Sequence, residues 1–275
     1  MGRWTLDSLR PSKSLGQNFL VNQGVITKIM EALSPESNET IIEIGPGKGA
    51  LTAQLLEKAG LVIAVEFDRI LIPLLRETFA ARENFKLLAD DALAVDFCEV
   101  IQPATQARVV ANLPYNIATA ILQRLIAYGS CITEMVLMLQ REVVDRLIAH
   151  PGSKERGYIS VLVEAYGEAE KLFDVAPGSF RPAPKVCSSV IRLRRKQQGP
   201  IAKDENLFWQ LVGAGFAQRR KTILNNLRGA PPQLLELIKR HGGASIILCR
   251  AEIDLQRRAE TLTLDEWIRL VRTLE

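Results

Sequence analysis

A chain of 275 residues that is 47% hydrophobic and 24% charged has the make-up of one large globular domain or two unequal ones, which excludes a disordered, collagen-like or coiled-coil protein. The net charge of +4 is uneven, because residues 40–100 hold 6 basic and 10 acidic side chains while residues 201–275 hold 12 basic and 9 acidic ones. No apolar run approaches the ~20 residues that span a bilayer, and residues 1–20 lack the apolar centre of a signal peptide. Leu6 stands where a myristoylation signal needs Ser or Thr. A soluble, cytoplasmic protein is expected.

Residues 40–44 are a short apolar run of β type, followed by a glycine-rich turn. Residues 51–59 read as a helix that stops at Gly60. Residues 61–65 form a second buried strand ending in Glu66. Residues 69–80 are helical in pattern, with a late start or a kink at Pro73. Further strands are expected over 85–89, 108–111 and 134–139, with a helix over 117–128 between the last two. Strands separated by helices, without tight hairpin turns, imply βαβ units and a mostly parallel sheet. After Gly167 the rhythm changes: residues 171–175 and 188–193 are two strands joined by a proline-rich loop, an antiparallel pair at the sheet edge. Gln197, Gln198, Gly199 and Pro200 read as a linker. Beyond it only helices follow. Asp204 caps one, and Thr263 with Glu266 forms a capping box for the last.

The four cysteines (Cys98, Cys131, Cys187, Cys249) are far apart, and His150 and His241 are isolated. Neither a disulfide framework nor a zinc site is expected, and no metal is assigned. Basic residues bunch at Arg192, Arg194, Arg195 and Lys196 and again at Arg219, Arg220 and Lys221. Such clusters suit a phosphate backbone, although a solvated face explains an isolated triplet as well.

Glu43, Gly45, Gly47 and Gly49 end one strand and open a helix, and Glu66 ends the next strand. Glycines let backbone approach a ligand where a Cβ would collide. Ligands of open α/β sheets lie beyond the carboxyl ends of such strands. A carboxylate at Glu66 can accept hydrogen bonds from both hydroxyls of a ribose, so nucleoside binding is expected. The pyrophosphate fingerprint G-x-G-x-x-G is absent, which disfavours a nicotinamide-dependent dehydrogenase. The pattern E-x-G-x-G-x-G resembles the first motif of Rossmann-like S-adenosylmethionine-dependent methyltransferases. That resemblance implies that Asp91, after the third strand, binds the adenine amino group. Asp90 reads as a cap for the following helix.

Asn112, Leu113, Pro114 and Tyr115 end the fourth strand. Pro114 biases Leu113 away from helix, so the Leu113 carbonyl is free to face the crevice. The Asn112 amide oxygen and that carbonyl can accept both hydrogens of an exocyclic amine, and Tyr115 can stack on the base. Alignment then supplies much of the catalysis, because a sulfonium is already a good leaving group.

With residues 14–20 (S-L-G-Q-N-F-L), Phe180 to Val186 (F-R-P-A-P-K-V) and Gln218 to Thr222 (Q-R-R-K-T) in order, nearly the whole chain resembles the small-subunit ribosomal RNA adenine N6,N6-dimethyltransferases. The resemblance implies that S-adenosylmethionine is held by Asn18, Leu20, Gly45, Gly47, Glu66, Asp91 and Asn112. It further implies that Asn112, Leu113, Pro114, Tyr115 and Phe180 receive the target adenine, Phe180 stacking opposite Tyr115. Lys185, Arg219, Arg220 and Lys221 are the expected RNA contacts. The expected fold is a seven-stranded, mostly parallel methyltransferase sheet with an antiparallel edge pair, over residues 1–198, and a small all-α domain over 199–275. The expected partner is small-subunit rRNA in a pre-30S particle, met by a monomer. Cys187 departs from the family, which usually has an acidic residue there. Two alternatives remain open at this stage: a large-subunit adenine methyltransferase of the macrolide-resistance type, which shares the Q-N-F, glycine and N-x-P-Y motifs, and an RNA-binding assembly factor.

Overall fold

Four apolar runs become the parallel strands β2 (Thr40–Ile44), β3 (Leu61–Glu66), β4 (Phe85–Ala89) and β5 (Ala107–Asn112) of a computed structural model that describes residues 16–115, 117–196 and 202–275. Residues 1–15, Asn116 and the expected linker at Gln197, Gln198, Gly199 and Pro200 lie outside the described residues. Every residue of β2 is buried, as a central parallel strand with both faces covered requires. β6 (Ile132–Gln140) extends the parallel run beside β5. β9 (Ser188–Arg195) then pairs antiparallel with β6, and β7 (Gly167–Val175) occupies the edge.

Among the described residues the sheet has seven strands in the order β4-β3-β2-β5-β6-β9-β7. Ser189 Oγ donates to Asp174, and Arg192 donates to Glu170. These contacts run in opposite directions along β9 and β7, so the expected antiparallel pair is present. Arg192 and Arg194 are spent on Glu170 and Glu134, which makes that basic cluster a brace of the sheet edge.

The connecting helices are α1 (Gln23–Leu33), α2 (Ala50–Leu55), α3 (Leu71–Thr78), α4 (Phe97–Val100) and α5 (Ala118–Ala127). A further helix, α6 (Arg141–Leu147), follows β6 directly. α2 is shorter than expected and gives way to turns before Gly60. Pro73 is the third residue of α3, where its missing N–H costs nothing because the first turn has no partner for it. One apolar cluster joins Phe19, Leu20, Ile26, Met30 and Leu33 to Leu51, Leu55, Leu71 and Leu75. It holds α1, α2 and α3 around the glycine turn. A two-residue strand β1 (Phe19–Leu20) pairs with an equally short β8 (Phe180–Arg181).

The division into compact units differs from a single cut at 198/199. One unit is residues 1–144 with 169–195; the other is 145–168 with 196–275. The helical unit therefore takes α7 (Tyr158–Tyr166) from the middle of the chain. The reason is packing: Val161 is fully buried in the same cluster as Phe208, Leu211, Trp267 and Leu270. Buried Arg156 reinforces it by donating to Glu164 and to the carbonyls of Ala149 and Leu262. The rest of that unit is α8 (Glu205–Gly215), α9 (Ile223–Arg228), α10 (Pro232–Arg240), α11 (Ala244–Arg250) and α12 (Leu264–Arg272). Asp204 caps α8, and α12 carries the expected Thr263–Glu266 capping box.

Cys98 and Cys131 form a disulfide, with Cα atoms 5.5 Å apart. This corrects the expectation of unpaired cysteines. The two are 33 residues apart in the chain, and only the fold brings α4 beside the start of β6. Cys187 and Cys249 are free and exposed. Among the described residues no helix is long and apolar enough to cross a membrane.

The turn after β2 depends on Gly49, which starts α2 at φ +78°. A Cβ there would lie 2.8 Å from the Phe79 ring. Gly49→Ala should therefore lower unfolding free energy by about 2–4 kcal/mol, adding left-handed strain to overpacking. Urea titration checks this; an unchanged midpoint would mean that the turn relaxes freely.

Candidate active site

The carboxyl ends of β2, β3, β4 and β5 open into one cavity of about 270 Å³. Gly16–Leu20, the glycine turn, Glu66–Asp68, Asp90–Leu93 and Asn112–Tyr115 line it. Strands that end together must turn away together, and their last side chains converge on the gap.

Gly45 and Gly47 both have positive φ, +68° and +57°. A Cβ on Gly47 would press on the Phe19 ring at 3.0 Å, whereas Gly45 has nothing within 4 Å of that position. The turn is thus a cradle in which added side chains would fill either core or cavity. Glu66 Oε2 accepts from the Gly47 N–H (3.3 Å) and Oε1 from the Asp68 N–H (2.8 Å). Each carboxylate oxygen keeps a lone pair for a ligand hydroxyl. Burial pushes the Glu66 carboxyl above its ordinary value, and the Asp68 and Gly47 N–H groups oppose that.

Glu43 lies behind the turn, 2% exposed. It accepts a 2.6 Å bond from Thr52 Oγ1. Burial raises its pKa to about 7, with the Thr52 bond opposing the rise and the nearby Glu66 charge adding to it.

Asp91 lines the cavity, and its Oδ1 accepts from the Leu93 N–H. Asp90 does not cap a helix: its Oδ1 accepts from the Asp91 N–H, and Asp96 caps α4 through the N–H groups of Cys98 and Glu99. The cap lies six positions later than expected because a turn precedes α4.

Asn112 Nδ2 donates to the Asn18 carbonyl at 3.0 Å. The Leu113 N–H donates to the Met138 carbonyl, which anchors that peptide at the sheet end. The Tyr115 hydroxyl meets Ser188 Oγ at 2.8 Å, and Ser188 is fully buried. Burial raises the Tyr115 pKa, opposed by the Ser188 bond, so the phenol stays neutral.

Asn18, Leu20, Gly45, Gly47, Glu66, Asp91, Asn112, Leu113, Pro114 and Tyr115 are therefore brought together. Phe180 is not. It is fully buried in the cluster with Phe19, Leu20 and Val190 and does not line the cavity. Pairing of β8 with β1 turns the ring inward, where an apolar side chain is more stable than at a wet rim. Lys185 is exposed in the first unit; Arg219, Arg220 and Lys221 are exposed in the second. No role was read from the sequence for Gln17, although it falls in the S-L-G-Q-N-F-L run, nor for Thr52, Phe67, Asp68 and Ser188. Asp68, two residues past Glu66 at a strand end, was the one with a readable position; Phe67 lines the cavity while 61% exposed.

A family model described as Ribosomal RNA adenine dimethylase matches residues 9–270. Over 267 residues the chain is 43% identical to a Ribosomal RNA small subunit methyltransferase A of Saccharophagus degradans, covering 96% of this chain and 95% of the relative. A protein of the same name from Hahella chejuensis is 42% identical over 259 residues, covering 94% and 90%. The fold is similar to the crystal structure of a dimethyladenosine transferase from Plasmodium falciparum, with TM-score 0.79 and 23% identity, covering 92% of this chain and 95% of that one. It is also similar to that of the 23S rRNA methyltransferase ErmE, with TM-score 0.67 and 23% identity, covering 94% and 99%. At that identity both likenesses concern the fold alone.

Glu43 makes the site's pH behaviour testable. Its folded pKa, about 7, lies above the ordinary 4.5. The stability it contributes is complete below pH 4.5 and lost as pH rises through 7. Glu43→Gln has no such loss, so relative to wild type it should gain about 3 kcal/mol of unfolding free energy between the two limits. Urea titrations at both ends check this, and parallel pH profiles would show that Glu43 does not titrate in that range.

Proposed function

The chain belongs to the ribosomal RNA adenine dimethylase family, and from that premise we propose that it transfers methyl groups from S-adenosylmethionine to N6 of two adjacent adenines in the 3′-terminal hairpin loop of small-subunit rRNA. The observation that carries this reading is the meeting of two receptors in one cavity: the Glu66–glycine-turn cradle and the Asn112–Tyr115 turn. The names of the curated relatives favour the small subunit over the large-subunit alternative. The pre-30S particle is the fitting partner, and a monomer acting in the cytoplasm suffices.

When bound, the cofactor supplies an electrophilic methyl group on a sulfonium. Glu66 is placed to accept from the ribose hydroxyls, Asp91 from the adenine amine, and Asn18 and Leu20 to cover the methionine part. Asn112 gives its Nδ2 to the Asn18 carbonyl, so Oδ1 is the end left for the target amine. The Leu113 carbonyl is placed to take the second amine hydrogen. In the first transfer, holding both hydrogens favours a pyramidal, nucleophilic nitrogen, which sheds one of them as a proton to water; the monomethyl amine of the second transfer has one hydrogen left for these acceptors. Tyr115, fixed by Ser188, offers a flat face for the base and, being neutral, is no base itself. An adenine must leave its stack to reach this cavity. Phe180 contributes through packing beneath β1 in this reading, not by stacking on the base. RNA affinity comes from Lys185 and from Arg219, Arg220 and Lys221 through phosphate contacts, which position without reading sequence.

Two outcomes are expected. Asn112→Ala loses on the order of 10²-fold or more in methyl transfer while RNA affinity stays nearly unchanged; single-turnover assays with labelled cofactor and an RNA-binding titration check this. Near-normal dimethyladenosine from the variant would make Asn112 structural. Replacing Arg219, Arg220 and Lys221 by Ala weakens RNA binding and flattens its salt dependence by ~0.7–0.9 for each phosphate that is no longer neutralised. An unmoved slope would assign these residues to a solvated face.

A further inference from the structure

Residues 16–20 line the cavity and are tied across it through two adjacent residues, Gln17 and Asn18. Gln17 Nε2 donates to Asp68 Oδ2 at 2.7 Å, joining residues 51 apart in the chain. Asn18 offers its carbonyl to Asn112 Nδ2 at 3.0 Å. Both Gln17 and Asp68 line the cavity. Backbone support for the segment among the described residues is slight: β1 is two residues long and pairs with the two residues of β8, and Val21 and Asn22 donate to the Ser179 carbonyl. A strand pair this short is not stable by itself. Asp68, by contrast, is firmly set. It is 8% exposed, its N–H donates to Glu66 Oε1, and its Oδ1 accepts from the Ile70 N–H at the start of α3. The carboxylate that takes Gln17 is thus two residues from Glu66 and bonded to it. The carbonyl that takes Asn112 is one residue from Gln17.

We propose that Gln17 is a positioning residue that clasps Asp68 to hold residues 16–20 closed over the cofactor and, through the Asn18 carbonyl, sets the plane of the Asn112 carboxamide for the target amine. The inference rests on the methyltransferase reading above and assigns a role to a residue that touches neither reacting atom. It makes cofactor retention and amine alignment one event. A closed strap keeps the ligand in, and the same closure gives Asn112 Nδ2 its acceptor. With the strap open, Nδ2 loses the partner that fixes which end of the amide faces the cavity.

The test exchanges donor and acceptor. Gln17→Ala removes the clasp. Gln17→Glu sets a carboxylate against Asp68. The double variant Gln17→Glu with Asp68→Asn restores one hydrogen bond with its polarity reversed, and Asn keeps an oxygen for the Ile70 N–H. The probe is S-adenosylhomocysteine, whose release is followed by stopped flow. The rate constant kcat at saturating cofactor is measured on undermethylated small subunits, and thermal midpoints are taken alongside.

The expected result for Gln17→Ala is about ten-fold faster release and a lower kcat that extra cofactor does not restore, with little change in midpoint. Gln17→Glu should be worse, and the double variant should recover towards wild type in both readouts. Release and kcat unchanged in Gln17→Ala would overturn the proposal, as would a double variant no better than Gln17→Glu alone. A wild-type protein that does not bind S-adenosylhomocysteine would instead bring down the methyltransferase reading, and the clasp with it.

Discussion

The carboxylate of Glu66 ties together the turns that leave β2 and β3. One oxygen takes the Gly47 N–H and the other the Asp68 N–H. Adjacent parallel strands end at the same level and must separate there, which leaves backbone N–H groups without ladder partners. A single buried acid satisfies one from each turn. The consequences spread in both directions. Gly47 is held at positive φ against Phe19, and Asp68 is held where it takes the Ile70 N–H just ahead of α3 and receives Gln17. The clamp leaves lone pairs facing the gap, so the group that shapes the site is also the group that can bind in it.

Electrostatics follow from the same crowding. Glu43 and Glu66 are both buried, and each is pushed upward mainly by loss of water. Each is relieved by hydrogen bonds, Glu43 from Thr52 and Glu66 from backbone N–H groups. The excess of acid over base in residues 40–100 therefore has a local meaning. A cavity lined by the acceptor oxygens of Glu66, Asp68, Asp90 and Asp91 suits a ligand that offers hydroxyl and amine donors. The basic residues assigned to RNA, Lys185 and Arg219 to Lys221, belong to other segments of the chain.

The parallel sheet was legible because buried strands announce themselves as short, mostly apolar runs rich in β-branched residues, such as residues 40–44 and 61–65. The glycine turn, Glu66, Asp91 and the Asn112–Tyr115 turn were legible because each sits where a strand stops. What escaped reading lacks periodicity or depends on distant partners. β1 and β8 are two residues each, too short for any pattern. Residues 145–168 look like a continuation of the sheet domain until Val161 is seen packed with Trp267. The Cys98–Cys131 disulfide joins elements that only the sheet order brings together. Phe180 reads as a stacking platform between prolines, yet the pairing of β8 turns it into the core. Gln17 was visible only as one letter of the S-L-G-Q-N-F-L run, and Ser188 as the start of a strand; their roles lie in the partners Asp68 and Tyr115.

The most direct measurement is methyl transfer by the wild-type protein to undermethylated small ribosomal subunits, with the products mapped by nucleoside analysis and primer extension. The expected product is dimethyladenosine at two adjacent adenines in the 3′-terminal hairpin of the small-subunit rRNA, with no label on large subunits. Methylation confined to large-subunit rRNA, or S-adenosylmethionine bound without transfer to any adenine, would contradict it.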